Sequence, residues 1–530
     1  MNTKLKGLSI LGDGRANTSD RGSLAIDPST RAELEPRYYA ATTQDVETAT
    51  RLAATAFEQY RAWAPKQRAA LLRRIAGVFE SDAPAIIERA NLETALGVPR
   101  LQGEAARTCG QLRLFASLLE EGWWQDARID HGDPARRPAP KPDLRSMMVP
   151  FGPVVVFSSS NFPLAFSVAG GDTASALAAG CPVIVKPHQG HPGTSELVGL
   201  VVVQAARECG APEGVFSMLY GPGREVGIAL VKHPLVKAVG FTGSRAGGRA
   251  LMDAAAARPE PIPVYAEMGS INPVFFLPRA MEASPETLAA GLHASVTLGV
   301  GQFCTNPGLV FVESGPPAER FLRKLGELIE GTPPGIMLTA GIGSEYQAGL
   351  EKLSHSRGVQ RVGGAGGRAN AGSARASAAL FVTDADVFLA QASLMDEVFG
   401  PSTLVVRCPS RADMVAAAAH LEGQLTATVH GTPEDLGANR DLLAVLELKV
   451  GRLLCNGFPT GVEVCHAMMH GGPYPATADG RSTSVGTRAI TRFLRPICYQ
   501  NFAEAALPEA LKDSNPLGLW RLVDGQLGKH

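Results

Sequence analysis

The eight cysteines of this 530-residue chain (109, 181, 209, 304, 408, 455, 465 and 498) include no CxxC pair. That dispersal argues against a zinc ribbon or a disulfide framework and fits a reducing, cytoplasmic setting. Charge of either sign is also in short supply, since 50 Lys and Arg stand against 51 Asp and Glu. No basic field exists to hold nucleic acid or an anionic membrane. No run reaches the ~20 apolar residues of a membrane helix; the nearest, SALAAGCPVIVK, is split by Pro182. The amino-terminal MNTKLKGLSILGDGR has an apolar run too short for a signal peptide. No GxGxxG opens a helix after a strand, and no internal repeat occurs. Small molecules and further copies of the chain remain as partners.

What is present is an ordinary globular composition, 45% hydrophobic and 19% charged, in a chain long enough for two or three domains. Residues 44–121 repeat Ala, Leu and Phe at three- and four-residue spacing, which predicts a helical lead-in. Residues 129–150 are rich in Pro and Arg without periodicity and read as an extended arm. The short apolar runs VVVF (154–157), PVIVK (182–186), VFSML (215–219) and VKAVGF (236–241) then alternate with Ala-rich helical segments. This is the pattern of a doubly wound α/β sheet covered on both faces. A second α/β stretch spans 280–465, with helices at 284–299 and 317–330 and strands at 308–312, 403–407 and 425–429. Residues 363–380 read as a flexible surface loop, and the tail 487–502 as a segment that packs on another subunit.

Three chemically complementary groups stand out. GQFCTNPGLV holds Cys304 before a turn, VYAEMGSINP holds Glu267 at a strand end, and FSSSNFPLAF places Asn161 before a proline-initiated helix. A thiolate can attack an aldehyde, an amide donor and a backbone N–H can stabilise the oxyanion, and a carboxylate can activate the water that releases the acid. The alternatives for each residue taken singly are a buried thiol, a solvated strand-end carboxylate and a helix N-cap. MDEVFGP adds Glu397 and Phe399 before a turn, and FTGSRAGGRAL offers Gly243 and Gly248 after a strand. In VEVCHAMMHGGP, His466 and His470 lie four apart beside Cys465, but no third ligand is evident, so no metal is expected.

Taken together and in order, SNFPLAFSVAGGDTASALAAGCPVIVKPHQGHPGTSE, AVGFTGS, YAEMGSINP, GQFCTNPG and EVFGP resemble the aldehyde dehydrogenase superfamily over residues 20–505. The resemblance implies an α/β fold with a modified Rossmann cofactor domain (1–128 and 151–279), an α/β catalytic domain (280–480) and a small oligomerisation arm (129–150 and 481–510). It implies Cys304 as nucleophile, Glu267 as general base, and Asn161 with the Cys304 amide as oxyanion hole. Glu397 and Phe399 would meet the nicotinamide side of the cofactor, Lys186 the adenosine ribose, and Gly243 and Ser244 the pyrophosphate. The position three after Lys186, where a Glu would repel a 2′-phosphate, is Gln189, and Arg224 follows nearby; NADP is therefore the expected cofactor, with NAD possible. Within the superfamily, RPEPIPVYAEM, PTGVEVCHAMMHGGPYPAT and RSTSVGTRAITRFLRPICYQ resemble bacterial NADP-dependent α-ketoglutaric semialdehyde dehydrogenases, near fatty aldehyde dehydrogenases. SSSN and EMGS replace the usual GASN and EMSS.

A semialdehyde with a carboxylate needs a cation, and Arg107, four residues before Gln111 on one helical face, and Arg481 are candidates; Phe162, next to Asn161, is a further substrate-binding candidate. A homodimer or homotetramer is expected. The competing readings are a broad-specificity dehydrogenase of medium or long aldehydes, a CoA-acylating enzyme that would not need Glu267, a Cys hydrolase that would need a histidine at the thiol, and a non-catalytic scaffold.

Overall fold

The architecture follows from local signals first. In the computed structural model, which describes residues 5–364 and 374–529, helix Thr43–Tyr60 starts at a capping box in which Thr42 and Asp45 satisfy each other's amides. Proline at the first turn opens Pro65–Thr94 and Val98–Glu121. The latter stops at Gly122, whose φ of 79° suits only a residue without Cβ. These three helices realise the lead-in and bury Leu72, Phe79, Ile86 and Phe115 against the first sheet.

That sheet runs, in spatial order, Val264–Glu267, Ala238–Thr242, Val154–Phe157, Val183–Lys186, Phe216–Met218, Ile10–Leu11 and Gly14–Arg15. The first five are parallel, and Ile10–Leu11 adds an antiparallel edge. Every residue of Val154–Phe157 and Val183–Lys186 is buried, as expected for strands with helices on both faces. The second sheet is Gln360–Gly363, Ala379–Asp384, Ser402–Cys408, Leu309–Glu313, Val274–Phe276, Gln424–His430 and Val450–Cys455, parallel except at its first strand. A third sheet joins Leu494–Gln500, Leu144–Pro150, Arg128–Asp130, Arg521–Val523 and Gln526–Gly528.

Three expectations are corrected. Pro163 does not begin a helix: residues 162–170 form turns, and the Glu104 carboxylate takes the Leu164 and Ala165 amides at 2.8 and 2.9 Å. The Gly/Ala/Ser-rich stretch 363–380 is not simply a surface loop. Residues 365–373 lie outside the described residues, but Ala379 and Leu380 are fully buried in a strand, where small residues permit close packing. The third sheet extends beyond the segments 129–150 and 481–510 expected to form an arm, since residues 521–528 complete it. No helix among the described residues is long and apolar enough to cross a membrane.

Candidate active site

The parallel registers bring distant motifs to one line. Phe157 lies opposite both Lys186 and Phe241, and Thr242 opposite Glu267, so Asn161, Lys186, Ser244 and Glu267 all emerge at the carboxyl edge of the first sheet. In the second sheet Leu309 pairs with Leu404, and the segments leading into these two strands carry Cys304 and Glu397 with Phe399 at its amino edge. A cavity of about 490 Å3 between the two edges is lined by Asn161, Lys186, Gly243, Ser244, Glu267, Cys304, Glu397 and Phe399. Gln189 is exposed and lines a neighbouring cavity with Arg21 instead, and Arg224 is exposed while only its neighbour Gly223 reaches the larger cavity.

The residues of this cavity suit a dinucleotide. Ser244 caps helix Arg245–Ala256 by accepting from the Gly247 amide at 3.2 Å, and the first-turn amides of that helix face an anion-seeking end. Lys186, 8% exposed, is drawn down to about 8 by burial alone. Such an ammonium is poised for hydroxyls or phosphate rather than satisfied within the fold. At the other end burial pushes Glu397 up to about 7. The EMGS departure has a steric reading: a Cβ on Gly269 would lie 2.5 Å from Glu397 Oε2, so glycine leaves the carboxylate its place.

The loop around Cys304 is fixed by backbone. Gly299, Val300 and Gly301 have φ of 55°, 58° and 65°, a left-handed run that a β-branched residue tolerates poorly. Asn272 Nδ2 donates to the carbonyls of Cys304 and Asn306, each at 2.9 Å, and Asn306 Nδ2 donates to the Gly400 carbonyl at 3.1 Å. The Cys304 N–H has no acceptor among the described residues. Asn161 Nδ2 donates to the Gln302 carbonyl at 3.0 Å, which uses one of its two N–H groups and orients the other. Burial, then the charge of Glu267, holds the Cys304 thiol well above its ordinary range.

Two residues beside the thiol were not singled out as partners from sequence. Residues 476–478 run beside strand Val264–Glu267, with Met268 N donating to Ala476 O and Ala478 N to Ala266 O at 2.8 and 2.9 Å. The flanking chain brings His470 and Ser484 to the site. Ser484 Oγ donates to Glu267 Oε2 at 2.7 Å, and His470 Nε2 lies 3.3 Å from Cys304 Sγ and 3.0 Å from Glu267 Oε1. Burial raises the Glu267 carboxyl, but the charge and hydrogen bonding of His470 and the Ser484 hydroxyl bring it below its ordinary value. His466 is exposed, whereas His470 is buried at the thiol. A histidine separated from Cys304 by 166 residues leaves no local sequence signal.

A second cavity, of about 500 Å3, opens on the other side of Cys304, which among the described residues is the one that lines both. Phe162 stands edge-on to Phe303 at 5.5 Å, and Arg107 lies 5.1 Å over Phe166 with Nε and Nη2 buried and unpartnered. Arg452 also lines it. Its Nη1 and Nη2 donate to the Gly461 and Pro459 carbonyls at 2.8 Å, and its Nε has no partner among the described residues. Glu463 sits at the same wall. Gln111 is buried but does not line the cavity. The Arg481 expectation is corrected: its side chain is 91% exposed, bonded to Asp479 at 3.0 Å, and outside the cavity, because the turn at 479–482 directs it to solvent.

The comparisons agree with this geometry. Residues 16–493 match the model of the aldehyde dehydrogenase family. The chain is 53% identical to Alpha-ketoglutaric semialdehyde dehydrogenase 2 of Azospirillum brasilense over 99% of each chain, and 47% identical to Alpha-ketoglutaric semialdehyde dehydrogenase of Acinetobacter baylyi over 92% of each. Among solved structures, aldehyde dehydrogenase C of Pseudomonas syringae superposes with a TM-score of 0.79 at 21% identity, covering 94% of this chain and 98% of that one. Two sheets facing edge to edge, with a thiol, a carboxylate and an amide at their junction, are thus the frame of an oxidoreductase acting on aldehydes, and the chain belongs to the aldehyde dehydrogenase family.

Proposed function

We propose that the protein oxidises 2,5-dioxopentanoate to 2-oxoglutarate, using NADP in preference to NAD. The observation that carries the reading is that, among the described residues, Cys304 alone borders both cavities, one suited to a dinucleotide and the other lined by two arginines with unpaired guanidinium atoms. The names of the two similar semialdehyde dehydrogenases point to the same substrate. The carboxylate and 2-oxo group of that substrate present adjacent acceptors to Arg107 and Arg452. We assign the first sheet to the cofactor, the second to catalysis and the arm to a homodimer or homotetramer.

In this mechanism the aldehyde enters from the arginine-lined side. Cys304 attacks the carbonyl carbon as its proton passes to Glu267 or His470, and the oxyanion accepts from the Asn161 side chain and the Cys304 N–H. Lys186, the Ser244 helix end, Glu397 and Phe399 would hold a nicotinamide dinucleotide, which supplies a hydride acceptor when bound. Glu267 Oε2 is anchored by Ser484, so Oε1 remains to take a proton from the water that frees the acid. The NADP reading rests on Lys186, a buried ammonium lining the cavity that would meet a 2′-phosphate, since Gln189 borders the neighbouring cavity instead.

An aldehyde panel with NADP and NAD tests the reading. Cys304→Ala should abolish turnover, and Glu267→Gln should keep a burst of NADPH but slow the steady state. Arg107→Met and Arg452→Met should each raise KM for the semialdehyde ~10- to 100-fold, the loss of a charge-assisted bond, and leave an uncharged aldehyde unaffected. Wild-type efficiency as high on uncharged aldehydes would favour the broad-specificity enzyme, which the Phe162, Phe166 and Phe303 wall would also accommodate.

A further inference from the structure

Cys304 Sγ, Glu267 Oε1 and His470 Nε2 lie within 4.8 Å of one another, and Glu267 and His470 are 4% and 1% exposed. Their arrangement differs from a hydrolytic triad, in which a histidine uses its two ring nitrogens for nucleophile and acid. Here Nε2 alone faces both, and Nδ1 is buried without a partner. Glu267 Oε1 lies 3.0 Å from Nε2, so the imidazole is shared between the carboxylate and the thiol. The three donor atoms thus form one compact cluster in which the imidazole contacts both the thiol and the carboxylate.

The set is that of a borderline-soft cation: one thiolate, one imidazole and one carboxylate. Tetrahedral zinc, with Zn–S about 2.3 Å and Zn–N about 2.0–2.1 Å, requires S···N and N···O edges of about 3.6 and 3.3 Å. The observed S···N and N···O edges are 3.3 and 3.0 Å, within a few tenths of an ångström of those values, and all three donor atoms lie within 4.8 Å of one another. Ser484 already orients the carboxylate through Oε2, and Thr483 Oγ1 fixes the His470 amide at 2.8 Å. Cys304 lines both cavities and Glu267 the first of them, so a cation can reach the thiol from either side. Arg107 in the same cavity opposes a cation, and the unpartnered Nδ1 lacks the outer hydrogen bond that strengthens a ligating histidine, so binding is reversible.

We propose that Cys304, Glu267 and His470 form a reversible zinc site that masks the nucleophile and so switches the enzyme off. Binding forms the S–Zn bond and releases the thiol proton to solvent. The binding itself is independent of the substrate assigned above; only its inhibitory consequence rests on the aldehyde-oxidising reading.

Cobalt(II) and zinc(II) salts are the probes. Cobalt added to the metal-free wild type should produce a thiolate-to-cobalt charge-transfer band that is absent from Cys304→Ser. Zinc should bind once at this site, inhibit turnover with reversal by EDTA, and slow alkylation of Cys304 by iodoacetamide as mapped by mass spectrometry. His470→Asn and Glu267→Gln should each weaken zinc binding ~tenfold or more. The alkylation assay uses unmodified protein, so it stands even where a variant folds poorly. Absence of the cobalt band, unprotected Cys304 at saturating zinc, or affinity unchanged by His470→Asn but lost in Cys465→Ser would overturn the proposal, the last by placing the metal on the surface loop. Inactivity of the wild type on every aldehyde, with the cobalt band present, would refute the enzymatic reading and leave the site standing.

Discussion

At the scale of single residues, burial does most of the tuning. Lys186 ends a fully buried strand, so its ammonium loses hydration without gaining a counter-ion and titrates near about 8. The 2′-phosphate of NADP would favour the charged form. Below pH 8 Lys186 is already protonated and affinity is flat; above it, protonating the amine must accompany binding. The Kd for NADP should therefore rise by up to ~tenfold per pH unit above pH 8 and that for NAD much less, as measured by fluorescence titration. Lys186→Met should remove the pH dependence along with most of the NADP preference. Cys304 is the opposite case, a thiol kept neutral by burial and by Glu267 until a partner takes its proton.

At the scale of elements, the catalytic loop depends on close backbone approach. A Cβ at Gly301 would lie 2.3 Å from the C and O atoms of Gly400, and φ there is 65°, so the loop bearing Cys304 and the loop bearing Glu397 and Phe399 touch where only glycine fits. Gly301→Ala should cost about 1–3 kcal/mol in chemical denaturation and lower kcat more than tenfold, while Lys186 at the far end of the cavity keeps NADP binding within a few-fold. The turn that follows Cys304 in GQFCTNPGLV was legible in the sequence. The contact of Gly301 with Gly400 was not, because a steric requirement between segments 99 residues apart has no local trace.

At the scale of the molecule, the chain leading into the third sheet is tied to a helix of the first sheet's layer by a buried ion pair. Arg492 Nη2 meets Asp172 Oδ1 at 2.6 Å with side chains 3% and 9% exposed, linking the segment Thr487–Phe493 to helix Gly171–Ala179. Arg492→Met leaves a buried carboxylate uncompensated and should cost ~3–5 kcal/mol by urea unfolding, whereas adding Asp172→Asn should recover most of the loss. Legibility declined with distance in the chain. The alternating apolar runs at 154–157, 182–186, 215–219 and 236–241 disclosed the parallel sheet because period and burial are local properties. Strands 521–528 were missed because their two short runs acquire meaning only when they pair beside Arg128–Asp130.

By itself, then, the sequence determined the chemistry available: a thiol, a carboxylate and an amide in motifs whose order matches one family, on strands whose apolar runs require burial on both faces. Tertiary structure decided which charged and titratable groups surround them. It brought in His470, Ser484 and Arg452, moved Arg481 out to solvent, and left Gln189 and Arg224 outside the cavity that Lys186 lines. The physical reason is that a motif's residue types are set along the chain, whereas solvation and electrostatic partnership depend on atoms a few ångströms away that come from anywhere in it.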